Sequence, residues 1–298
     1  PYADDIDGSP PKNKGKSMLF GACGVAIGAI LLAVILLAAG VFSPGRAIQG
    51  PGSATPEDAA RAYLTALRDR DLDAMIAAFA VESYAEHYDF EAMVKRLNAY
   101  PQSLDMRFPN SSDYNRQLNI AGRRNAIVDQ IAFQYLFYHA PDALNNGAPV
   151  IFDSSPADFA EDFAQDTGDY VFEDLAITGT ISSQDFSDNR LEALLENLPK
   201  DLRDDAEDTL DHLLELYESD TNQRNIKIQV KAFGADRGDV ANVIVTFDSG
   251  GETWVFCPQA IQYDGKWYLH SLNGNLAVLL GLSYYTGGIV PVDMDYFE

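Results

Sequence analysis

The sequence predicts an α+β domain carried on a single membrane-spanning helix. Three observations lead there. Residues 18–42 run for 25 residues without a charge. Apolar residues then recur at helical spacing from Pro56 to Phe79. In the C-terminal third they alternate with polar residues, and glycine turns separate the runs.

The first element is the span, MLFGACGVAIGAILLAVILLAAGVF. As a helix it is roughly 37 Å long, enough to cross a hydrocarbon core of about 30 Å with some tilt. Pro44 and Gly45 end it. Lys12, Lys14 and Lys16 precede it, and beyond it Arg46 is the sole basic residue before Arg61. Basic flanks stay inside, so residues 1–17 are expected to be a cytoplasmic tail and everything after the span to lie outside the cell membrane. A cleaved signal peptide is the alternative, but its apolar region is typically about 7–15 residues. Lipid around residues 18–42 is the first expected partner. Gly24 and Gly28 form a GxxxG pair, which suits either self-association of the helix or simple packing in lipid.

Charge narrows the function classes. The tail balances three Asp against three Lys, so the rest of the chain carries the whole formal charge of −24. Such a surface repels nucleic acid and anionic headgroups, so no nucleic-acid partner is expected. Cys23 lies in the span and Cys257 in the outer part, so the two cannot pair within one chain. A domain without a disulfide fits a bacterial envelope protein that relies on its core.

Residues 43–54, SPGRAIQGPGSA, read as a flexible stalk. Residues 55–298 then form the outer domain. Thr55 caps a helix with Pro56 at its first position and Glu57 and Asp58 in its first turn. Ala59, Tyr63, Ala66 and Leu67 give it an apolar face. Asp71 caps a second helix with Leu72, Met75, Ile76 and Phe79 on one side. Ser83 and Asp89 start two more short helical segments. Residues 116–139 predict a longer helix, with Ile120, Ile127, Ile131 and Leu136. Residues 141–149 predict a loop, 156–165 a short helix, and 170–181 a strand. Residues 188–218 predict a leucine-rich acidic helix pair broken at Pro199.

The last third predicts antiparallel strands. Ile226, Ile228, Val230 and Ala232 alternate with Lys227, Gln229 and Lys231 and read as the first. Val243, Val245 and Phe247 mark the second, Thr253–Tyr263 the third and Lys266–Leu272 the fourth. Ser249-Gly250-Gly251 and Asp264-Gly265 are the turns. Pro258 cannot donate to a ladder and is expected at a bulge or an edge.

Pro56–Phe79, PEDAARAYLTALRDRDLDAMIAAF, resembles the opening of the NTF2-like superfamily, a capped helix followed by an acidic turn and a second short helix. Tyr263-Asp264-Gly265-Lys266-Trp267-Tyr268-Leu269 resembles its last hairpin. The resemblance implies a cone of helices on a curved antiparallel sheet. Its helices near 116–139 and 188–218 would be insertions, because minimal members of that superfamily are much smaller.

That superfamily includes isomerases, dehydratases and epoxide hydrolases, and many members without catalysis. In the enzyme reading, Tyr84, His87 and Asp89 are the candidate catalytic residues, with His87 as base and Asp89 orienting it. Trp254, Phe256, Trp267 and Tyr268 are candidate pocket-lining residues. Core packing explains those four as well. His139, His212 and His270 show no metal-ligand spacing, and HExxH, GxSxG, Walker A and GxGxxG patterns are all missing from the sequence. No metal and no cofactor is expected. The favoured expectation is a non-catalytic binding or assembly module, with an envelope protein or self-association as its partnership. A membrane-tethered isomerase, dehydratase or hydrolase is the alternative.

Overall fold

The computed structural model describes residues 48–97, 109–139, 170–232 and 240–292. The expected tail and span, the loop at 141–149 and the helix at 156–165 lie outside the described residues. Among the described residues no helix is long and apolar enough to cross a membrane.

The architecture is α+β. Helices α1 (Pro56–Arg68), α2 (Leu72–Ala77), α3 (Glu82–His87) and α4 (Phe90–Leu97) come first, followed by the long α5 (Asp113–His139). Strand β1 (Ala176–Ser182) precedes α6 (Asp188–Glu196), α7 (Lys200–Glu218) and α8 (Asp220–Ala232). Strands β2 (Val240–Ser249), β3 (Glu252–Phe256), β4 (Gln259–Tyr263) and β5 (Lys266–Ser271) follow. A short helix α9 (Asn275–Leu279), a 3-10 turn (Tyr284–Thr286) and β6 (Ile289–Pro291) complete the described elements.

The expected caps form. Thr55 Oγ1 accepts from the Asp58 amide at 3.1 Å, and an Asp71 carboxylate oxygen accepts from the Ala74 amide at 2.9 Å. Each satisfies an amide that the first helical turn leaves without a partner.

All described pairings between named strands are antiparallel, and β2 is their axis. One edge of β2 pairs with β1; the other pairs with β4 and then β3. The expected strand at 253–263 is thus one bent strand, interrupted at Cys257–Pro258. The break suits proline: Pro258 donates nothing, and its carbonyl accepts from the Val243 amide at 3.0 Å. Asp264 and Gly265 both take positive φ (52° and 74°), as a two-residue hairpin turn requires. The outer edge of β5 is covered by Ser53, paired with Trp267, and by Ala78 and Ala80, whose backbones bond Leu269. That removes an exposed edge.

Both faces of the sheet are buried. Val243, Val245 and Phe247 point toward α1, α2 and α5, where Tyr63, Leu64, Phe79, Ile127 and Ile131 pack. Ile181, Ile244, Cys257 and Val290 point the other way, under Leu194, Leu210 and Leu213 of the α6–α7 pair and Leu276 of α9. The helix pair expected at 188–218 is therefore a second layer on the sheet.

Three readings need correction. Residues 226–232 belong to helix α8, which begins at Asp220 immediately after α7. Ser219 starts it, its carbonyl accepting from the Gln223 amide at 3.0 Å. Good helix formers such as Gln223, Arg224 and Lys227 favour continuing the helical run over a lone strand. The strand expected from Tyr170 begins only at Ala176, because Tyr170–Asp174 form a turn. Third, residues 48–54 of the expected flexible stalk are docked. The Glu82 carboxylate accepts from the amides of Ile48 (2.8 Å) and Gln49 (3.0 Å). The Gln49 amide oxygen accepts from Val81 (2.9 Å) and Ser83 (3.0 Å). These four bonds satisfy backbone donors at the start of α3 and along the strap itself. Gly52 (φ +69°) lies so close to Tyr268 that a Cβ would sit 2.6 Å from its ring.

Candidate functional site

The polar residues with the most connected burial belong to α5. Asn119, Arg123, Gln130 and Gln134 are buried along it, spaced by four, seven and four, so they share the face that carries Ile127 and Ile131. Arg123, Gln130 and Gln134 each engage another part of the fold, and Asn119 donates to the Asn110 side-chain oxygen at 2.9 Å. Arg123 Nε donates to the Ala80 carbonyl at 3.1 Å, and its terminal nitrogen donates to the His270 carbonyl at 2.5 Å. Its guanidinium lies 4.4 Å from the centre of the Tyr84 ring. The Gln130 side-chain oxygen accepts from the Leu272 amide at 3.1 Å. Gln134 accepts from the Tyr63 hydroxyl at 2.7 Å and donates to the Gly287 carbonyl at 3.0 Å. Helix α5 is thereby stapled to α1, to the end of α2, to β5 and to the segment before β6.

Tyr84, Arg123 and His270 form one buried group. The His270 ring meets the Tyr84 ring edge-on at 5.1 Å. Burial, and then the Arg123 charge, hold the His270 imidazole well below its ordinary pKa. The ring therefore stays neutral at physiological pH.

The structure places the three candidate catalytic residues in different surroundings. Tyr84 is buried beneath Arg123. His87 is exposed at the end of α3, with Nδ1 2.8 Å from the Ser83 carbonyl and its ring stacked on Tyr263 at 4.8 Å. Asp89 is exposed, and its carboxylate accepts from the Ala92 amide at 2.9 Å, capping α4. The hydrogen bonds of His87 and Asp89 thus run to backbone groups of α3 and α4.

The four candidate pocket-lining residues are packed. Trp254 is parallel to Phe247 at 6.3 Å and meets Phe172 and Tyr138 edge-on, while its indole N–H donates to the Ser249 carbonyl at 3.0 Å. Phe256 stacks on Tyr63 at 5.6 Å. Trp267 is buried in the same cluster, and Tyr268 packs with Tyr88 and Ile261. Burial pushes the Cys257 thiol up to about 12, so it stays protonated and unreactive. Among the described residues, no three His, Cys, Asp or Glu side chains are grouped so as to hold a metal ion.

Sequence reasoning missed Arg123, Gln130 and Gln134. Their signal was present: polar residues recurring on the apolar stripe of a helix mark a face that packs against backbone groups. In the sequence His270 is one of several scattered histidines, because its partners lie on α3 and α5, far away in the chain.

No protein-family model matches the chain. No curated protein matches it either. Among solved structures it is similar to a cystatin-like protein from Ruminococcus gnavus, at 18% identity and a TM-score of 0.41. The match covers 80% of this chain and 45% of that one, so this chain spans less than half of that protein's length.

Proposed function

We propose that this chain is a membrane-anchored binding or assembly module of the bacterial envelope. Its outer domain is non-catalytic and built on an NTF2-like cone, and an envelope protein is its partner. The span at 18–42 with its lysine-rich flank supports the anchor. The order of elements, short helices followed by an antiparallel meander, supports the NTF2-like plan.

The observation that carries the binding reading is how the chain uses its own interior. In a cone-type enzyme the acids, bases and aromatics would line an open pocket. Here Trp254, Phe256 and Trp267 are in the core, and the buried polar side chains of α5 bind backbone groups of neighbouring elements. The helices beyond a minimal cone add surface instead, which is what a partner reads.

The test has two arms. The full chain, isolated from membranes, should carry an envelope protein with it at constant stoichiometry. The wild-type protein and a His87→Ala variant are also screened for hydrolysis and isomerisation of small apolar substrates. Turnover by the wild type that His87→Ala abolishes, with folding intact, overturns the binding reading and restores the tethered enzyme.

A further inference from the structure

The α6–α7 pair leaves an open cleft of about 430 Å³ between its two helices. That is within the ~300–1,000 Å³ range of ligand clefts. Its shape follows from helix periodicity. Leu191, Glu192, Leu195 and Glu196 share one face of α6, and Arg203, Glu207, Leu210 and Asp211 share one face of α7. The leucines form the floor; Leu191 and Leu195 are only half-buried. The acids Glu192, Glu196, Glu207 and Asp211 form the rim and are exposed. Arg203 also lines the cleft, and its single charge offsets only part of the four acids. Its guanidinium donates to the Glu196 and Leu198 carbonyls at 3.1 and 3.3 Å, at the C-terminal end of α6.

We infer that this cleft is the docking groove for a basic amphipathic helix of the partner, with apolar side chains on the leucine floor and lysines or arginines on the acidic rim. This rests on the binding-module reading and adds the chemistry of the partner. A groove between two helix faces takes a third helix by its apolar stripe. The rim selects a cationic one, because opposite charge steers and registers the encounter. A second copy of this chain is the wrong occupant: at a formal charge of −24 it would set acid against acid. A bound cation is disfavoured by geometry, since the described carboxylates are not grouped to hold one.

The experiment is hydrogen exchange on the full chain in zwitterionic nanodiscs. The probe is a synthetic helix of about 18 residues, five turns, with leucine on one face and lysine on the other. Protection is expected at residues 188–196 and 203–211, weakening steeply as salt rises from about 50 to about 500 mM. A chain carrying E192K and E207K, both exposed positions, is expected to bind about tenfold more weakly. An E192Q/E207Q chain should fall between the two, and an E252K control on β3 should match wild type. The same peptide with glutamate for lysine should not protect the groove. Protection confined to other elements, equal affinity of the reversed chain, or equal protection by calcium or magnesium alone overturns the groove. If a co-purified partner stays equally bound to the reversed chain, the groove is wrong while the binding module stands. Turnover in the His87→Ala screen overturns the binding module itself.

Discussion

Two residues set how the interior responds to acid and to truncation. His270 is held neutral by burial and by Arg123, so its native pKa lies below the unfolded value. The unfolded chain then binds more protons than the folded one below about pH 6.5, and stability falls as pH falls through that value. The expected slope is about 1.4 kcal/mol per pH unit, down to the depressed native pKa. Urea melts between pH 5 and 7.5 should show it in the wild type, and a His270→Gln variant should lose that part of the slope. Equal slopes would remove His270 as the cause. Arg123 is a separate case. Replacing it with Met keeps much of the volume but strips donors from the Ala80 and His270 carbonyls. A loss of about 2–4 kcal/mol is expected by denaturant melt. A neutral or stabilising result would mean those carbonyls find other donors. Neither effect was legible in the sequence, because each depends on groups far apart in the chain.

Elements whose signal is local were legible. The capped helices at 56 and 72, the hairpin at Asp264-Gly265 and the break at Pro258 rest on a few adjacent residues, and the structure has them. The segment 226–232 was not, although its alternation is regular. Two-residue periodicity gives a strand only if a neighbour pairs with it, and α7 hands the chain to α8 as a helix through Ser219. A sharp test follows. Asn225 is exposed in the interior of α8. Asn225→Pro would remove a helical N–H bond and clash with the preceding turn, costing about 3 kcal/mol. The melt should shift accordingly and far-UV helical signal should drop; an unchanged melt would return the segment to a non-helical form. The strap is also an element-scale matter. Composition alone made 48–54 look free, since glycine, proline and serine dominate it. Gln49 and Glu82 tie it down through long-range bonds that composition does not encode. Gln49→Ala should cost about 1–3 kcal/mol by leaving the Val81 and Ser83 amides without their acceptor. It should also speed exchange at those two amides, and unchanged exchange there would count against the clamp.

At the scale of the whole molecule, the docked strap limits how long the proposed membrane tether can be. If the span ends at residue 42, six residue steps separate it from Ile48, which Glu82 holds, and fully extended they reach at most about 22 Å. On the proposed function, the outer domain is then held close to the bilayer, where an envelope partner would meet it. That short connection contains Arg46, and the next basic residue, Arg61, is in α1 with its guanidinium on the Thr180 hydroxyl at 2.7 Å. Cleavage at Arg61 requires α1 to unfold, whereas Arg46 lies in sequence between the proposed span and the strap. Trypsin added to intact protoplasts should therefore cut after Arg46 and release a folded fragment that begins at Ala47. N-terminal sequencing of the released protein reads the outcome directly. A fragment beginning at Ala62 would show that the strap leaves α1 open to attack. Cuts after Lys12, Lys14 or Lys16 would place the tail outside and reverse the orientation. Full protection would put the domain inside, and release without protease would make residues 18–42 a cleaved signal. A released fragment whose N-terminus is Ala47 agrees with both the charge asymmetry around the span and the clamp between Gln49 and Glu82.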